Sequence, residues 1–160
     1  MTVFYVTTIA TYFLALLTRK IESKYGKISW FFLFFVIAIL IIVSAIRSGI
    51  GDTTMYRHLY NLVNESYAGD GYEIGFIYFI KFLKIFSDNS QLLIIVTSVI
   101  INILNVITIY RYTKDSYFEL GIYLYITSGY YIVTMNGIRQ SLAASILFFA
   151  TTLIFKKKYK

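Results

Sequence analysis

Arginine residues beside long apolar segments are the groups in this sequence best suited to chemistry. Arg139 is the only basic residue between Lys114 and Lys156, and Gln140 follows it directly. An arginine at the centre of a bilayer costs roughly 2.5–3.5 kcal/mol on insertion scales, so such residues usually face a partner, a cavity or a ligand. A guanidinium group offers fixed, bidentate donors that suit phosphate oxygens. The sequence therefore predicts that Arg139 and Gln140 contact an anionic ligand.

Two further arginines, Arg47 and Arg57, could converge on the same ligand as Arg139. Both lie in the polar stretch that follows the apolar segment 29–46. Long basic side chains at such positions also snorkel, with the stem along apolar surface and the charge in water. Ligand binding and snorkelling are therefore alternatives for Arg47 and Arg57.

Three titratable residues, Asp52, Glu73 and His58, could act as a general base. Asp52 is also well placed as the N-cap of a helix that starts at Thr53, a role that needs only a short side-chain oxygen. Glu73 lies near the predicted start of another helix, where a carboxylate complements the helix dipole. Capping and catalysis are therefore alternatives for both carboxylates.

The composition indicates which elements must position these residues. Hydrophobic residues make up 58% of the 160-residue chain, charged residues make up 14%, and the mean hydropathy is +0.68. These values exclude an ordinary soluble domain. Several segments approach the ~20 apolar residues that a membrane-spanning helix needs. We therefore predict an all-α, polytopic helical membrane protein in which residues 1–160 form a single transmembrane domain.

The net charge of +7 does not indicate nucleic-acid binding, because most of the lysines flank apolar segments. At such positions they set the orientation of the protein and contact anionic membrane lipid. The chain has no cysteine, and His58 is its only histidine. These counts exclude a cysteine-based or multi-histidine metal site.

Four apolar segments are clear, at residues 2–17, 29–46, 91–110 and 115–155. The last contains 41 residues. As a helix it would be roughly 62 Å long, twice the ~30 Å thickness of a hydrocarbon core. It should therefore form a helical hairpin. The bend is expected at Asn136-Gly137, near the midpoint, where helix propensity is weakest.

The ambiguous segment, residues 74–86, has only 13 residues and contains Lys81 and Lys84. A segment of this length is more often interfacial or re-entrant than spanning. If it does not span, ten basic residues lie inside and five outside, as the positive-inside rule requires. We therefore predict about five spans, an external N-terminus and a cytoplasmic C-terminus. Residues 47–90 and the bend beside Arg139 then share the extracytoplasmic face.

Residues 53–67 have the pattern of an amphipathic helix. Apolar residues and tyrosines fall on one face at a spacing of 3.6 residues, and polar residues fall mostly on the other. Such a helix most simply lies in the interface plane, with its tyrosines at the depth of the lipid headgroups. The apolar face consists of Tyr56, Leu59, Tyr60, Val63 and Tyr67.

Three local motifs of the chain resemble the EpsG family of polysaccharide polymerases, which is similar in role to the Wzy polymerases. The first is Arg47-Ser48-Gly49-Ile50-Gly51-Asp52, with Tyr56 and Tyr60 following. The second is Glu73-Ile74-Gly75-Phe76, and the third and most specific is Asn136-Gly137-Ile138-Arg139-Gln140. Their order and spacing also resemble the family, over about residues 30–158.

The resemblance implies an enzyme of the bacterial cytoplasmic membrane that joins polyprenyl-diphosphate-linked oligosaccharides on the extracytoplasmic face. By that implication Arg47 and Arg139 hold the diphosphate, and an external carboxylate such as Asp52 assists the attacking sugar hydroxyl. No metal and no soluble nucleotide cofactor is needed, because the lipid diphosphate is already an activated leaving group. The further predicted substrate contacts are Tyr56, Arg57, Asn136 and Gln140.

Members of this family are usually longer, with further spans after the part that these motifs cover. Residues 1–160 are therefore expected to be either a complete transmembrane domain or the N-terminal half of a longer bundle, with other polysaccharide-assembly proteins as partners. Two other functions stay open. They are a transporter or channel component for an anionic substrate and a non-catalytic membrane subunit. The spans 29–46 and 142–155 offer almost no polar face, which favours chemistry at the membrane surface over a transport path.

Overall fold

The computed structural model describes residues 2–25, 29–63, 73–113 and 116–158, with side chains through Phe155. These residues form eight α-helices and no strand, so the predicted all-α class is confirmed. In chain order the helices are α1 (Thr2–Tyr25), α2 (Trp30–Ala45), α3 (Thr53–Leu62), α4 (Ile74–Lys84), α5 (Gln91–Thr113), α6 (Phe118–Thr127), α7 (Tyr130–Asn136) and α8 (Ile138–Lys158).

Three of the described helices are long and apolar enough to cross a membrane. They are α1, α5 and, over Ile138–Phe155, α8. Two shorter apolar helices, α2 and α6, accompany them, and α6 continues into α7 after a break. The outer face of α2 exposes Phe31 and Phe34, each to 65%. Exposed apolar surface on several helices fits a lipid environment, and the chain is a multi-pass membrane protein.

Helix α5 lies at the centre of the bundle, where it packs against α2, α6 and α8, while α1 packs against α2 and α6. Its buried face carries polar side chains that bond to neighbouring helices. Asn105 Nδ2 donates to Ser145 Oγ of α8 at 3.0 Å, and Asn102 Nδ2 donates to Ser44 Oγ of α2 at 3.3 Å. Such bonds in a bilayer typically stabilise helix association by ~0.6 kcal/mol each. They fix the rotation of α2 and α8 about α5.

The tract 115–155 contains the predicted break at Asn136-Gly137, since α7 ends at Asn136 and α8 begins at Ile138. A second break at Ser128-Gly129 separates α6 from α7, and this one was not predicted. Gly129 has a φ of +83°, a left-handed conformation that only glycine adopts at little cost. The hairpin itself is confirmed, because the start of α6 and the end of α8 both contact the last turn of α5, through Tyr110–Phe118 and Arg111–Thr152. Its first arm is two helices.

The helices bring distant parts of the sequence together at two opposite ends of the bundle. At one end, Arg19 of α1 forms an ion pair with Glu119 of α6 at 2.9 Å. At the other end, Gln91 Nε2 at the start of α5 donates to the carbonyl of Ala45 at 2.7 Å. The α2–α3 connection, α3, α4 and the start of α8 share this second end, which we call the site end.

The amphipathic pattern of α3 is confirmed, but other helices cover its apolar face, which the sequence predicted to lie against lipid. Tyr56, Leu59, Tyr60 and Val63 are at most 3% exposed and pack in one cluster with α4, α5 and Ile138. Tyr67, predicted on the same face, lies outside the described residues. Protein therefore covers the surface that the sequence alone assigned to lipid, because α4 folds back over it.

Candidate functional site

The site end gathers the residues that the sequence predicted for chemistry. The Arg47–Asp52 connection leaves α2, Glu73 precedes α4, and Arg139 lies in the first turn of α8. Each is therefore held at a helix terminus, where the backbone is fixed on one side by a packed helix. The structure gathers these described segments at one end of the bundle.

The first and third sequence motifs touch directly. The backbone N–H of Asp52 donates to Asn136 Oδ1 at 3.0 Å, across 84 positions of sequence. Gly51 makes this approach possible, because a Cβ added there would lie 2.0 Å from the same Asn136 oxygen. Gly51 also has a φ of +53°, which favours glycine. Asn136 therefore positions the connection that carries Asp52.

Asp52 is the N-cap residue of α3, as predicted, but its carboxylate makes no capping hydrogen bond. Among the described residues, no hydrogen bond or ion pair involves that carboxylate, and the residue is exposed. A capping role alone therefore does not account for Asp52. The carboxylate is available to a molecule outside the bundle.

Arg139 forms an ion pair with Glu73, and Nη1 of Arg139 donates to Oε2 of Glu73. Tyr56 of α3 contacts Arg139 as well. Three separate segments therefore meet at one guanidinium group. The Arg139 side chain is 25% exposed, so part of it stays open to the surface.

Glu73 occupies the N-cap position of α4 but makes no side-chain cap bond, so its structural partner is Arg139 and not the helix. A hydrogen bond from its own backbone N–H and the contact with Arg139 lower the pKa of the Glu73 carboxyl. The side chain is 69% exposed. An ion pair this exposed contributes little to stability, because water screens the two charges.

Arg47 is buried, and protein groups surround its guanidinium. Nη1 donates to the carbonyl of Ser44 at 2.7 Å and to Ser98 Oγ at 3.1 Å, and Nε donates to Thr53 Oγ1 at 3.2 Å. Burial lowers the pKa of Arg47 to about 10, which leaves it charged at neutral pH. Arg47 thus ties α2, α3 and α5 together and places a positive charge beneath the site.

Arg57 belongs to α3 and lies beside Arg47. Its Nη2 donates to Gln91 Oε1 at 2.5 Å and to the carbonyl of Arg47 at 3.3 Å. Its Nε is buried and has no hydrogen-bond partner among the described residues. Arg57 is close enough to Arg47 to disfavour its charge, so an anion nearby would relieve the repulsion between the two arginines.

In a comparison with protein-family models, the model described as the EpsG family matches residues 30–160. The chain belongs to the EpsG family. Searches of curated proteins and of solved structures returned no match. Membership of the EpsG family implies a role in polysaccharide assembly in the membrane, as the motif resemblance predicted.

Two predicted residues of this EpsG-family chain stand apart from the contacts described above. His58 is exposed on α3, and Gln140 is exposed on α8. Neither is joined by a hydrogen bond to the other predicted residues within the described part of the chain. The structure places both on the surface of the site end and assigns neither a structural role.

Sequence reasoning missed three polar residues of the EpsG-family site, namely Gln91, Thr53 and Ser98, which bind the two buried or half-buried arginines. A glutamine at the first position of an apolar span is a signal that could have been noticed, because that position meets other segments at the membrane surface. Among the described residues, no group of histidine and acidic side chains could hold a metal ion.

Proposed function

We propose that this EpsG-family chain takes part in polymerising polyprenyl-diphosphate-linked oligosaccharides on the extracytoplasmic face of the bacterial cytoplasmic membrane. The observation that carries the proposal is the meeting of all three family-like motifs at the site end, through the Asp52–Asn136 hydrogen bond and the Glu73–Arg139 ion pair. An arginine in an exposed and displaceable ion pair suits capture of a diphosphate, which offers more charge than one carboxylate.

In the proposed cycle, the diphosphate of the donor replaces Glu73 on the guanidinium of Arg139. Arg57 lies at the same end, and its buried Nε has no hydrogen-bond partner among the residues that the structure describes. Arg47 is enclosed by protein, so it acts through its charge at longer range and by holding α3 in place. This differs from the direct diphosphate contact that the family resemblance implies for Arg47.

The proposed chemical step is glycosyl transfer. A hydroxyl oxygen of the acceptor sugar attacks the anomeric carbon of the donor sugar and forms a new C–O bond. The bond between that carbon and the polyprenyl diphosphate breaks, and the diphosphate leaves with the electron pair. Asp52 is the proposed general base that accepts the hydroxyl proton, because its carboxylate is exposed and makes no cap bond. Tyr56, Asn136 and Gln140, at the same end of the bundle, are the proposed further substrate contacts.

The distribution of charge supports the extracytoplasmic placement of the site end. The opposite end carries Arg19, Lys20, Lys24 and Arg111 on α1 and α5. Basic residues beside spans are concentrated on the cytoplasmic side. With that end inside, the N-terminus of α1 and the site end face outward.

The transporter alternative would need a polar path through the bundle, and the polar face of α5 is where one would run. Ser98 and Asn102 on that face are at most 2% exposed and bond to neighbouring helices. This arrangement favours helix packing, and therefore favours chemistry at the surface over transport.

The proposal is tested by adding a lipid-linked oligosaccharide repeat to membranes that contain the protein and resolving the products by gel for a ladder of polymer lengths. We expect Arg139→Ala to abolish the ladder, because it removes the group that holds the leaving diphosphate. Arg111→Ala is the matched control, since it removes an arginine from the opposite end and should leave the ladder intact. A normal ladder from Arg139→Ala would overturn the proposal.

A further inference from the structure

The last two turns of α1 carry a group of cationic side chains at the end of the bundle opposite the site. Arg19, Lys20, Ser23 and Lys24 line an open cavity of about 300 Å³. Lys20, Ser23 and Lys24 are exposed. The cavity therefore offers ammonium groups and a hydroxyl to a molecule outside the bundle.

The acidic residues beside this cavity are held by other partners. Glu119 pairs with Arg19 at 2.9 Å, and both carboxylate oxygens of Glu22 accept from the Tyr110 hydroxyl at 2.8 Å. The Arg19 charge is largely offset by Glu119. Glu22 keeps its negative charge but is held toward Tyr110 of α5, and no acidic side chain among the described residues pairs with Lys20 or Lys24. The outer part of the cavity is therefore positive, and an anion is the ligand that would balance it.

The position of the lysines on α1 indicates which kind of anion would bind in the cavity. Ile9, Phe13 and Leu17 form an exposed apolar stripe, at 58%, 60% and 39% exposure. Lys20 and Lys24 follow Leu17 by three and seven positions, so they continue the same face of the helix. Leu17 and Lys20 are about 4.5 Å apart along the axis. The stripe thus changes from apolar to cationic within one turn. A phospholipid changes in the same order, from its acyl chains to its phosphate group.

We propose that this face of α1 binds the phosphate group of an anionic phospholipid, with the acyl chains along Phe13 and Leu17 and the phosphate between Lys20 and Lys24. Ser23 donates a hydrogen bond to the same phosphate. A free phosphate or a soluble nucleotide would use the charges but gain nothing from the apolar stripe, so the geometry favours a lipid. The site is separate from the proposed glycosyl-transfer site and does not depend on it.

The experiment is native mass spectrometry of the protein in detergent micelles with equal amounts of phosphatidylglycerol and phosphatidylcholine. We expect the wild-type protein to retain phosphatidylglycerol preferentially. Lys20→Gln with Lys24→Gln should lower the ratio of bound phosphatidylglycerol to phosphatidylcholine roughly thirtyfold, which corresponds to about 1 kcal/mol for each of the two lysines. The charge-preserving pair Lys20→Arg with Lys24→Arg should keep the preference.

Two further arms separate the sources of the anion and the causes of a loss. Inorganic phosphate added in excess should not displace the bound phosphatidylglycerol. If phosphate displaces it, the lipid assignment is overturned in favour of a soluble anion. Phe13→Ser with Leu17→Ser should weaken phosphatidylglycerol retention although both lysines remain. Unchanged lipid ratios in the glutamine pair would overturn the proposal. Far-ultraviolet circular dichroism of each variant excludes loss of helix as the cause.

Discussion

The guanidinium of Arg139 at the start of α8 pairs with the carboxylate of Glu73 at the start of α4, 66 positions earlier in the sequence. The sequence predicted the two residues for separate tasks, one as a diphosphate contact and the other as a cap or base. In the proposed cycle, Glu73 is therefore the group that the diphosphate displaces from Arg139. Substitutions of Glu73 and of Arg139 should therefore have different effects on donor binding.

Glu73→Gln should tighten binding of the diphosphate-linked donor. The amide carries no charge and competes less well for Arg139, so we expect KM for the donor to fall several-fold with little change in kcat. Steady-state measurement of ladder formation at varied donor concentration gives both constants. A large fall in kcat with KM unchanged would instead identify Glu73 as the base.

The ionisation of Glu73 should report its contact with Arg139. The native contacts lower its pKa below the usual value of 4.5. The favourable contact is therefore complete above that value and is lost as the pH falls through the lowered pKa. Carbon NMR of the labelled carboxyl should give a titration midpoint below 4.5. In Arg139→Gln the midpoint should move upward, though only partly, because the Glu73 backbone N–H still bonds. A wild-type midpoint at or above the usual value would contradict the contact.

Asp52→Asn should slow polymerisation without weakening donor binding. General-base catalysis typically contributes about 100-fold or more, so we expect kcat to fall by roughly that factor and KM to stay near its original value. His58→Gln is the matched control, because His58 is an exposed titratable residue of the same helix. If His58→Gln lost as much activity as Asp52→Asn, the base would be misassigned.

Gly51→Ala should destabilise the site end. Alanine at this position would have to keep the left-handed backbone conformation of Gly51, at a cost of roughly 1–2 kcal/mol. Its Cβ would also displace the Asn136 side chain that lies 2.0 Å from its position. Gly49 is two positions away, has no atom within 4 Å of an added Cβ and has no positive φ. Thermal unfolding in detergent should therefore show a lower Tm for Gly51→Ala and little change for Gly49→Ala. Equal shifts would contradict the Gly51–Asn136 contact.

Arg47→Gln and Arg139→Gln should differ in their effects on stability. Arg47 is 6% exposed and donates to three protein groups, so its loss leaves buried acceptors unpaired. We expect about 2–4 kcal/mol lower stability. The ion pair of Arg139 with Glu73 is exposed, so Arg139→Gln should cost less stability than Arg47→Gln while it abolishes activity. Denaturant unfolding in mixed micelles, measured beside ladder formation, separates the two. Similar losses of stability would place Arg139 in the structural framework too.

The sequence determined the class of protein and several local features, because these depend on composition and on near neighbours. Long apolar segments specify membrane helices, and the amphipathic spacing of α3 predicts its buried face. The weak helix propensity at Asn136-Gly137 predicts the break before α8. The break at Gly129 has the same physical origin, but the length argument placed only one bend in that tract.

Only the tertiary structure decided which polar groups meet. The Glu73–Arg139 pair, the Asp52–Asn136 bond and the burial of Arg47 each depend on how α3, α4 and α8 pack around α5. The rotation and depth of each helix depend on its contacts with all of its neighbours, and no local sequence pattern predicts those contacts. For the same reason α3 covers protein instead of lipid. The sequence thus named the residues of the site end, and the packing of the bundle buried some of them in its framework and placed others at its surface.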